Sequence, residues 1–155
     1  METRAERAER KQLEAFAKLY NHKYGTDYRV GGIEPQNSII DRRLISVTQR
    51  YPEIKVQLKS VTELDNTYFT RSIMGNIKVM DRNIFKILDK LWEKVKAQYS
   101  GSENGITIVF EVGVSQSWVK DYEIPEDMSR SSFEEIFCLG LPTLRFPEGY
   151  IFKLK

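Results

Sequence analysis

The chain has 155 residues, of which 41% are hydrophobic, and this composition suits a single globular domain with its own core. Its 24 basic and 22 acidic residues leave a net charge of +2, which is too small to indicate an anionic partner. One cysteine, Cys138, and one histidine, His22, exclude an internal disulfide and a Cys/His zinc site within one subunit. This cysteine usage predicts a cytoplasmic location, and the charged first residues and short apolar runs predict neither a signal peptide nor a membrane span.

The first predicted element is a helix over residues 3–22, rich in Ala, Glu, Arg, Lys and Leu. Four residues recur at the spacing of one buried helical face: Leu13, Phe16, Ala17 and Tyr20. Gly25 is a typical helix stop. Glu9 falls on the extension of the apolar face and Glu14 at its margin, and for each of them a solvated helix charge is the ordinary interpretation.

Two strand-forming segments follow the helix. Tyr28–Ile33 predicts a short strand, interrupted by the two glycines Gly31 and Gly32. Residues 37–61 predict a β-hairpin, because aliphatic and charged residues alternate on either side of a polar turn at residues 49–53.

The hairpin carries three polar residues that suit a functional site. Gln57 and Lys59 are two apart on the second strand and therefore point to one face of it. If the turn centres near Tyr51, Asp41 pairs with Val61 and lies diagonally beside Lys59 on that same face. We therefore expect Asp41, Gln57 and Lys59 to lie within roughly 10 Å of one another.

A competing triplet on the same strand is Glu53-Ile54-Lys55, which has the same spacing and a better metal ligand. In the register assumed above, however, Glu53 lies beside the turn, several residue pairs from Asp41. A slip of one residue would exchange the faces of the strand, so the choice depends on the turn. The geometry favours Gln57 and Lys59.

The segment 62–80 has strand-like fragments at 67–70 and 77–80 around a possible turn at 74–76, and it either extends the sheet or covers one end of it. Asp81 then caps a predicted helix over 82–99, in which Trp92 is a core residue.

The apolar run at 105–114 predicts a strand that is covered on both faces. The remaining predicted elements are a loop over 116–127, a short serine-capped helix over 131–137 and a final strand over 150–154. Together the elements predict an α/β (α+β) fold with a mixed central sheet flanked by helices. We expect one domain over residues 1–155, with a core at about 5–115 and a small C-terminal α/β extension at about 116–155.

A carboxylate, a second side-chain oxygen and a lysine on one face suit a divalent-metal site. Mg²⁺ prefers few protein oxygens and keeps several waters, so Asp41 and one or two further oxygens suffice. The metal would offset the charge of a phosphodiester and lower the pKa of a bound water. Lys59 would orient that water or stabilise the developing negative charge. The plain alternative is an ordinary polar ladder on a solvent-facing part of the sheet.

The order of elements, with Asp41 on one strand and Gln57-Leu58-Lys59 on the next, resembles the PD-(D/E)xK nuclease superfamily. This superfamily includes restriction endonucleases and Holliday junction resolvases, and some members carry Q-x-K in place of E-x-K. The resemblance covers about residues 5–115 and implies a restriction-endonuclease-like αβββαβ core that binds Mg²⁺ or Mn²⁺.

The resemblance also implies a role for each matching residue. Asp41 corresponds to the metal-binding aspartate, Gln57 to the second metal ligand and Lys59 to the catalytic lysine. Some members add a glutamate from the first helix, and Glu14 matches that position relative to the helix stop, whereas the helical-face pattern favours Glu9. Gln57 departs from the usual acidic residue, because an amide offers an oxygen without a charge.

Two functions follow as expectations. The first is a metal-dependent DNA endonuclease in phage defence, mobile-element processing or repair, acting as a homodimer or with a partner subunit. The second is a catalytically silent nuclease-like domain that binds nucleic acid or protein. Basic residues that would contact DNA phosphates are Lys18, Lys23, Arg29, Arg42, Arg43, Arg71, Lys78 and Arg82.

Overall fold

The computed structural model describes residues 2–60, 77–99, 101–112, 119–140, 147 and 149–155, and the side chains of its second helix from Phe85 onward. The described helices are α1 (Arg4–Tyr24), α2 (Ile77–Tyr99) and the short α3 (Glu126–Ser129). The described strands are β1 (Tyr28–Val30), β2 (Arg42–Ser46), β3 (Ile54–Ser60), β4 (Ile106–Glu111), β5 (Glu135–Gly140) and β6 (Tyr150–Lys153). The fold is therefore α+β, as the sequence predicts.

The six strands form one mixed sheet in the order β1-β2-β3-β4-β5-β6. Antiparallel pairing joins β1 to β2, β2 to β3 and β5 to β6, whereas β3, β4 and β5 are parallel neighbours. Parallel neighbours need a crossover connection, and α2 lies in the crossover between β3 and β4. The segment that was predicted as a C-terminal extension supplies β5 and β6 to this same sheet.

The two long helices cover opposite faces of the sheet. The α1 face contains α1 residues and alternate strand residues: Leu13, Phe16, Ala17, Leu44, Val56, Leu58, Val109, Phe137 and Leu139. The α2 face contains α2 residues and the intervening strand residues: Leu88, Leu91, Trp92, Val95, Tyr99, Ile108, Phe110, Ile136 and Cys138. Every residue of β4 is buried, which confirms the prediction of a strand covered on both faces.

Local signals set both ends of α1. The Thr3 hydroxyl accepts from the Glu6 backbone N–H at 3.1 Å, and the Glu6 carboxylate accepts from the Thr3 backbone N–H, so the two residues form a capping box. Gly25 ends the helix with φ of 66°, a left-handed conformation that glycine adopts without a steric penalty. The predicted helix is confirmed, and it extends to Tyr24.

Two predictions about the second half of the chain are wrong. The helix α2 begins at Ile77, so residues 77–80 are helical rather than extended and Asp81 lies inside the helix rather than at its cap. The segment predicted as a short helix over 131–137 instead enters β5 at Glu135, because its apolar residues pair in parallel with β4. The predicted strand at 67–70 and turn at 74–76 lie outside the described residues.

Candidate functional site

The hairpin of β2 and β3 positions the candidate site, but its register differs from the predicted one. Arg42 pairs with Val56 and Leu44 with Ile54, so the turn centres near Gln49, which has a positive φ of 61°. This register, with the contacts of Asp41 to the Val56 and Leu58 backbone, places Asp41 beside Gln57 rather than opposite Val61. The two registers differ by an even number of residues, and for this reason the faces of the strands do not exchange.

Asp41 precedes β2, and its backbone contact with β3 is shifted by one residue from the register of the β2–β3 ladder. Its backbone N–H donates to the Val56 carbonyl at 2.9 Å. Its carboxylate Oδ2 accepts from the Leu58 backbone N–H at 2.7 Å. A backbone donor thus holds the carboxylate against β3, in a defined position beside Gln57.

Gln57 projects to the α2 face, where its side chain meets the end of α2. Its side chain is buried, with 6% exposure, and its amide is oriented so that Oε1 lies 2.6 Å from the Tyr99 hydroxyl oxygen. That hydroxyl also contacts the Ile39 carbonyl oxygen. Burial and the negative charge of Asp41 raise the pKa of Tyr99 well above its usual range, so the hydroxyl keeps its proton at neutral pH.

No sequence motif indicated that Tyr99 belongs to the site. Tyr99 is four residues beyond Val95 and thus extends the apolar stripe of α2, which is the one sequence signal that it carried. A tyrosine at the end of a buried stripe brings a hydroxyl into the core, and this hydroxyl needs a partner. The partners, Gln57 and Ile39, are 42 and 60 residues away in sequence, so no local pattern indicates them.

Lys59 lies two residues beyond Gln57 on β3 and pairs with Phe110 of β4. It therefore projects to the α2 face with Gln57, and its side chain is partly exposed. The structure thus brings Asp41, Gln57 and Lys59 together on one face, near the carboxyl end of the parallel strands. Ligand sites of open α/β sheets are commonly found at that end.

Glu14 is on the opposite face of the sheet from Gln57. Its side chain is exposed and forms an ion pair of 2.7 Å with Arg10. Glu9 contacts the sheet instead, with its Oε1 3.2 Å from Nε of Arg42. The structure therefore does not bring Glu14 to the other three predicted residues, and the helical-face pattern identified which glutamate meets the sheet.

Arg42 is not available for the DNA contacts that the sequence suggested, because it is 2% exposed. It donates to Glu2 and Glu9 and to the carbonyl oxygens of Gly31 and Glu6, each at 3.2 Å. This buried guanidinium joins the first turns of α1 to the hairpin.

The competing triplet lies at the far end of the hairpin from Asp41. Glu53 Oε2 is 3.1 Å from Nη1 of Arg43, which also binds Glu34 at 2.7 Å. Arg43 is thus engaged by two carboxylates. The structure separates Glu53 from Asp41, in agreement with the register argument.

The oxygen donors on this face suit a hard divalent cation. Asp41 offers a carboxylate in a fixed position, and Gln57 offers a buried amide. Within the described ranges, no group of three His, Cys, Asp or Glu side chains lies together as a ready metal cluster. A cation at this face would therefore have one charged protein ligand and would keep several waters.

Comparison of the chain with protein-family models, with curated proteins and with solved structures gave no match. In the part of the chain that the structure describes, no helix combines the length and the apolar character that a membrane span requires.

Proposed function

We propose that the chain is a metal-dependent endonuclease that hydrolyses phosphodiester bonds in DNA. One observation carries this proposal: Asp41, held by the Val56 and Leu58 backbone, lies beside Gln57, and Lys59 is on the same face of the sheet as Gln57. A carboxylate, an amide oxygen and a lysine so arranged match the metal-ligand and lysine positions of the PD-(D/E)xK superfamily.

The topology supports the proposal as well. The described elements begin with α1, continue through β1, β2 and β3, and then cross over through α2 to β4. This is the αβββαβ order that the resemblance implies for a restriction-endonuclease-like core. Fold alone does not determine activity, so the proposal depends on the residues at the hairpin.

Each residue has a separate role in the proposed reaction. Asp41 and Gln57 would hold Mg²⁺ or Mn²⁺, which when bound offsets phosphodiester charge and lowers the pKa of water. Lys59 would donate hydrogen bonds to the attacking water or to the phosphate oxygens, whose negative charge increases during hydrolysis. Its partial exposure leaves it accessible to a substrate.

The direct test is cleavage of supercoiled, linear duplex and single-stranded DNA with Mg²⁺ or Mn²⁺ by the wild type, Asp41→Asn and Lys59→Met. We expect Lys59→Met to lower the cleavage rate by at least about 100-fold, the usual contribution of a group that handles a proton in the reaction. Asp41→Asn removes the one charged metal ligand, and we expect it to lower the rate at least as much. Lys55→Met is the matched control, because Lys55 is an exposed lysine of the same strand outside the cluster, and we expect it to leave the rate unchanged. Equal cleavage by the wild type and Asp41→Asn would rule out the proposal.

A second candidate function is a nuclease-like domain that binds nucleic acid or protein without cutting. The burial of Gln57 and its contact with Tyr99 favour it, since a neutral amide in a polar contact is a weaker cation ligand than a carboxylate. Titration calorimetry with Mn²⁺ separates the two candidates. Mn²⁺ binding that is lost in Asp41→Asn argues for a working metal site and against the second candidate, whereas a wild type that neither binds Mn²⁺ nor cleaves any DNA substrate supports it.

A further inference from the structure

The contacts of Tyr99 pose a problem of proton count. Its hydroxyl carries one proton, yet it lies within hydrogen-bond distance of two groups, the Ile39 carbonyl and the Gln57 amide. A tyrosine hydroxyl is neutral at ordinary pH, so it has that single proton to donate. If both groups were acceptors, one buried oxygen would face the hydroxyl oxygen without a hydrogen between them.

The two groups differ in what they can offer. The Ile39 carbonyl is an obligatory acceptor, whereas an amide presents either its oxygen or its NH₂ after a half turn about its terminal bond. In the part of the chain that the structure describes, Tyr99 is the one donor to the Ile39 oxygen. No described group accepts from a Gln57 Nε2 that points away from Tyr99. That orientation would leave a buried NH₂ with no acceptor.

We propose that Tyr99 is a positioning residue that fixes the orientation of the Gln57 amide. Tyr99 donates its proton to the Ile39 carbonyl and accepts a hydrogen bond from the Gln57 NH₂. The Gln57 carbonyl oxygen then points away from Tyr99 and has no hydrogen-bond donor among the described residues. The Tyr99 proton and one of the two Gln57 NH₂ protons each have an acceptor in this arrangement.

The orientation explains how a glutamine can serve the proposed metal site, and in this respect the inference rests on the proposed function. A buried carbonyl oxygen that no donor of the described residues occupies is a ligand for a hard divalent cation next to Asp41. A glutamate at this position would offer oxygens alone, and the single Tyr99 proton would then face two acceptors. Tyr99 and Gln57 are therefore matched to each other.

The orientation is tested by NMR on the wild type, without reference to any activity. Nuclear Overhauser effects between the Gln57 side-chain NH₂ protons and the Tyr99 ring protons ortho to the hydroxyl are expected when the NH₂ faces Tyr99. Loss of the NH₂ signals in Gln57→Met assigns them. If the assigned NH₂ protons show no such effect, the inference is wrong, whether or not the protein cleaves DNA.

The positioning role is tested by Mn²⁺ titration of Tyr99→Phe. Loss of the hydroxyl lets the amide rotate, and we expect the Kd for Mn²⁺ to rise about tenfold, while Asp41→Asn abolishes binding. Tyr122→Phe is the matched control, because Tyr122 is also buried on the α2 face and donates to Asp89 of α2 at 2.5 Å. A Kd in Tyr99→Phe equal to those of the wild type and Tyr122→Phe would overturn the positioning role. No Mn²⁺ binding by the wild type, with the NMR contact present, would instead count against the proposed function and leave the amide orientation standing.

Discussion

Asp41 and Asp27 both accept hydrogen bonds from backbone N–H groups, and their surroundings give them different roles. Asp41 accepts a hydrogen bond from the Leu58 N–H beside the buried Gln57 amide and near Lys59, and this setting suits metal binding. Asp27 accepts from the Ser46 hydroxyl at 2.6 Å and from the Thr48 N–H at 2.9 Å, where it joins the start of β1 to the end of β2. For Asp27 we infer a role in stability alone.

The pKa of Asp27 gives a test of that role. The hydrogen bonds from Ser46 and Thr48 lower the pKa of Asp27 below its usual range, so its carboxylate stabilises the folded state above its unfolded pKa near 3.9. This contribution is lost as the pH falls from that value through the folded pKa. We therefore expect Asp27→Asn to be less stable than the wild type at pH 7 and to lose less stability between pH 5 and about pH 2.

Urea unfolding at several pH values measures this difference. Asp121→Asn, at an exposed aspartate, serves as the control and should follow the wild-type pH dependence. If Asp27→Asn and the wild type lose the same stability on acidification, the hydrogen bonds of Asp27 do not contribute as we infer.

At the scale of elements, Arg42 is the residue that fixes α1 to the hairpin beside Asp41. Its guanidinium is 3% exposed, whereas its partners Glu2 and Glu9 are 22% and 28% exposed. Removal of the guanidinium would take this donor from Glu9 and from the Gly31 and Glu6 carbonyls, whereas Glu2 would keep its contact with Arg10. Breaking a buried ion pair from one side typically costs about 3 kcal/mol or more.

We expect Arg42→Met to lower the free energy of unfolding by about 3 kcal/mol, measured by urea unfolding. Arg10→Met is the matched control, because Arg10 also pairs with Glu2 but its side chain is 35% exposed. Exposed pairs contribute at most about 1 kcal/mol, so this change should be small. Equal losses in the two variants would show that the burial of Arg42 does not matter.

The sequence predicts those elements whose signals are local. The Thr3 capping box and Gly25 set the two ends of α1, and both signals come from residues that are neighbours in the sequence. Asp81 is a plausible cap by composition, but α2 continues through it to Ile77. Phe137 follows serines and glutamates that suit a helix start, yet parallel pairing with Val109 of β4 makes it part of a strand. Long-range pairing overrides such weak local preferences.

The candidate site shows the same division. Alternation along β3 was enough to place Gln57 and Lys59 on one face, since that property depends on parity alone. The residue opposite Asp41 was predicted incorrectly, because it depends on the left-handed conformation of Gln49, a non-glycine residue with no sequence signal for it. Tyr99 is the last residue of α2, in the crossover between β3 and β4, and only the folded chain brings it to Gln57. Its role could therefore be seen only in the structure.

At the scale of the whole molecule, β5 and β6 complete the sheet whose other half carries the site. Their residues Phe137, Leu139 and Ile151 lie in the same apolar cluster as Leu13 and Phe16 of α1 and Val56 of β3. The C-terminal strands therefore cover part of the surface on which α1 packs. We infer that the chain folds as one cooperative unit and that a change at its C-terminal edge reduces the stability of the hairpin.

Gly140 of β5 allows a test of this inference. A Cβ at this position would lie 2.0 Å from the ring of Tyr150, which covers the glycine from the neighbouring strand. We expect Gly140→Ala to displace the ring and to lower the free energy of unfolding by about 2 kcal/mol, as overpacking of a core commonly does. Gly32→Ala is the control, since no atom lies within 4 Å of a Cβ there and its φ is not positive.

Hydrogen exchange of the β2–β3 amides decides whether the fold is one unit. If the chain unfolds cooperatively, protection at Leu58 decreases in Gly140→Ala as much as protection in β5. Unchanged protection at Leu58 would show that β5 and β6 unfold separately from the domain that holds the site.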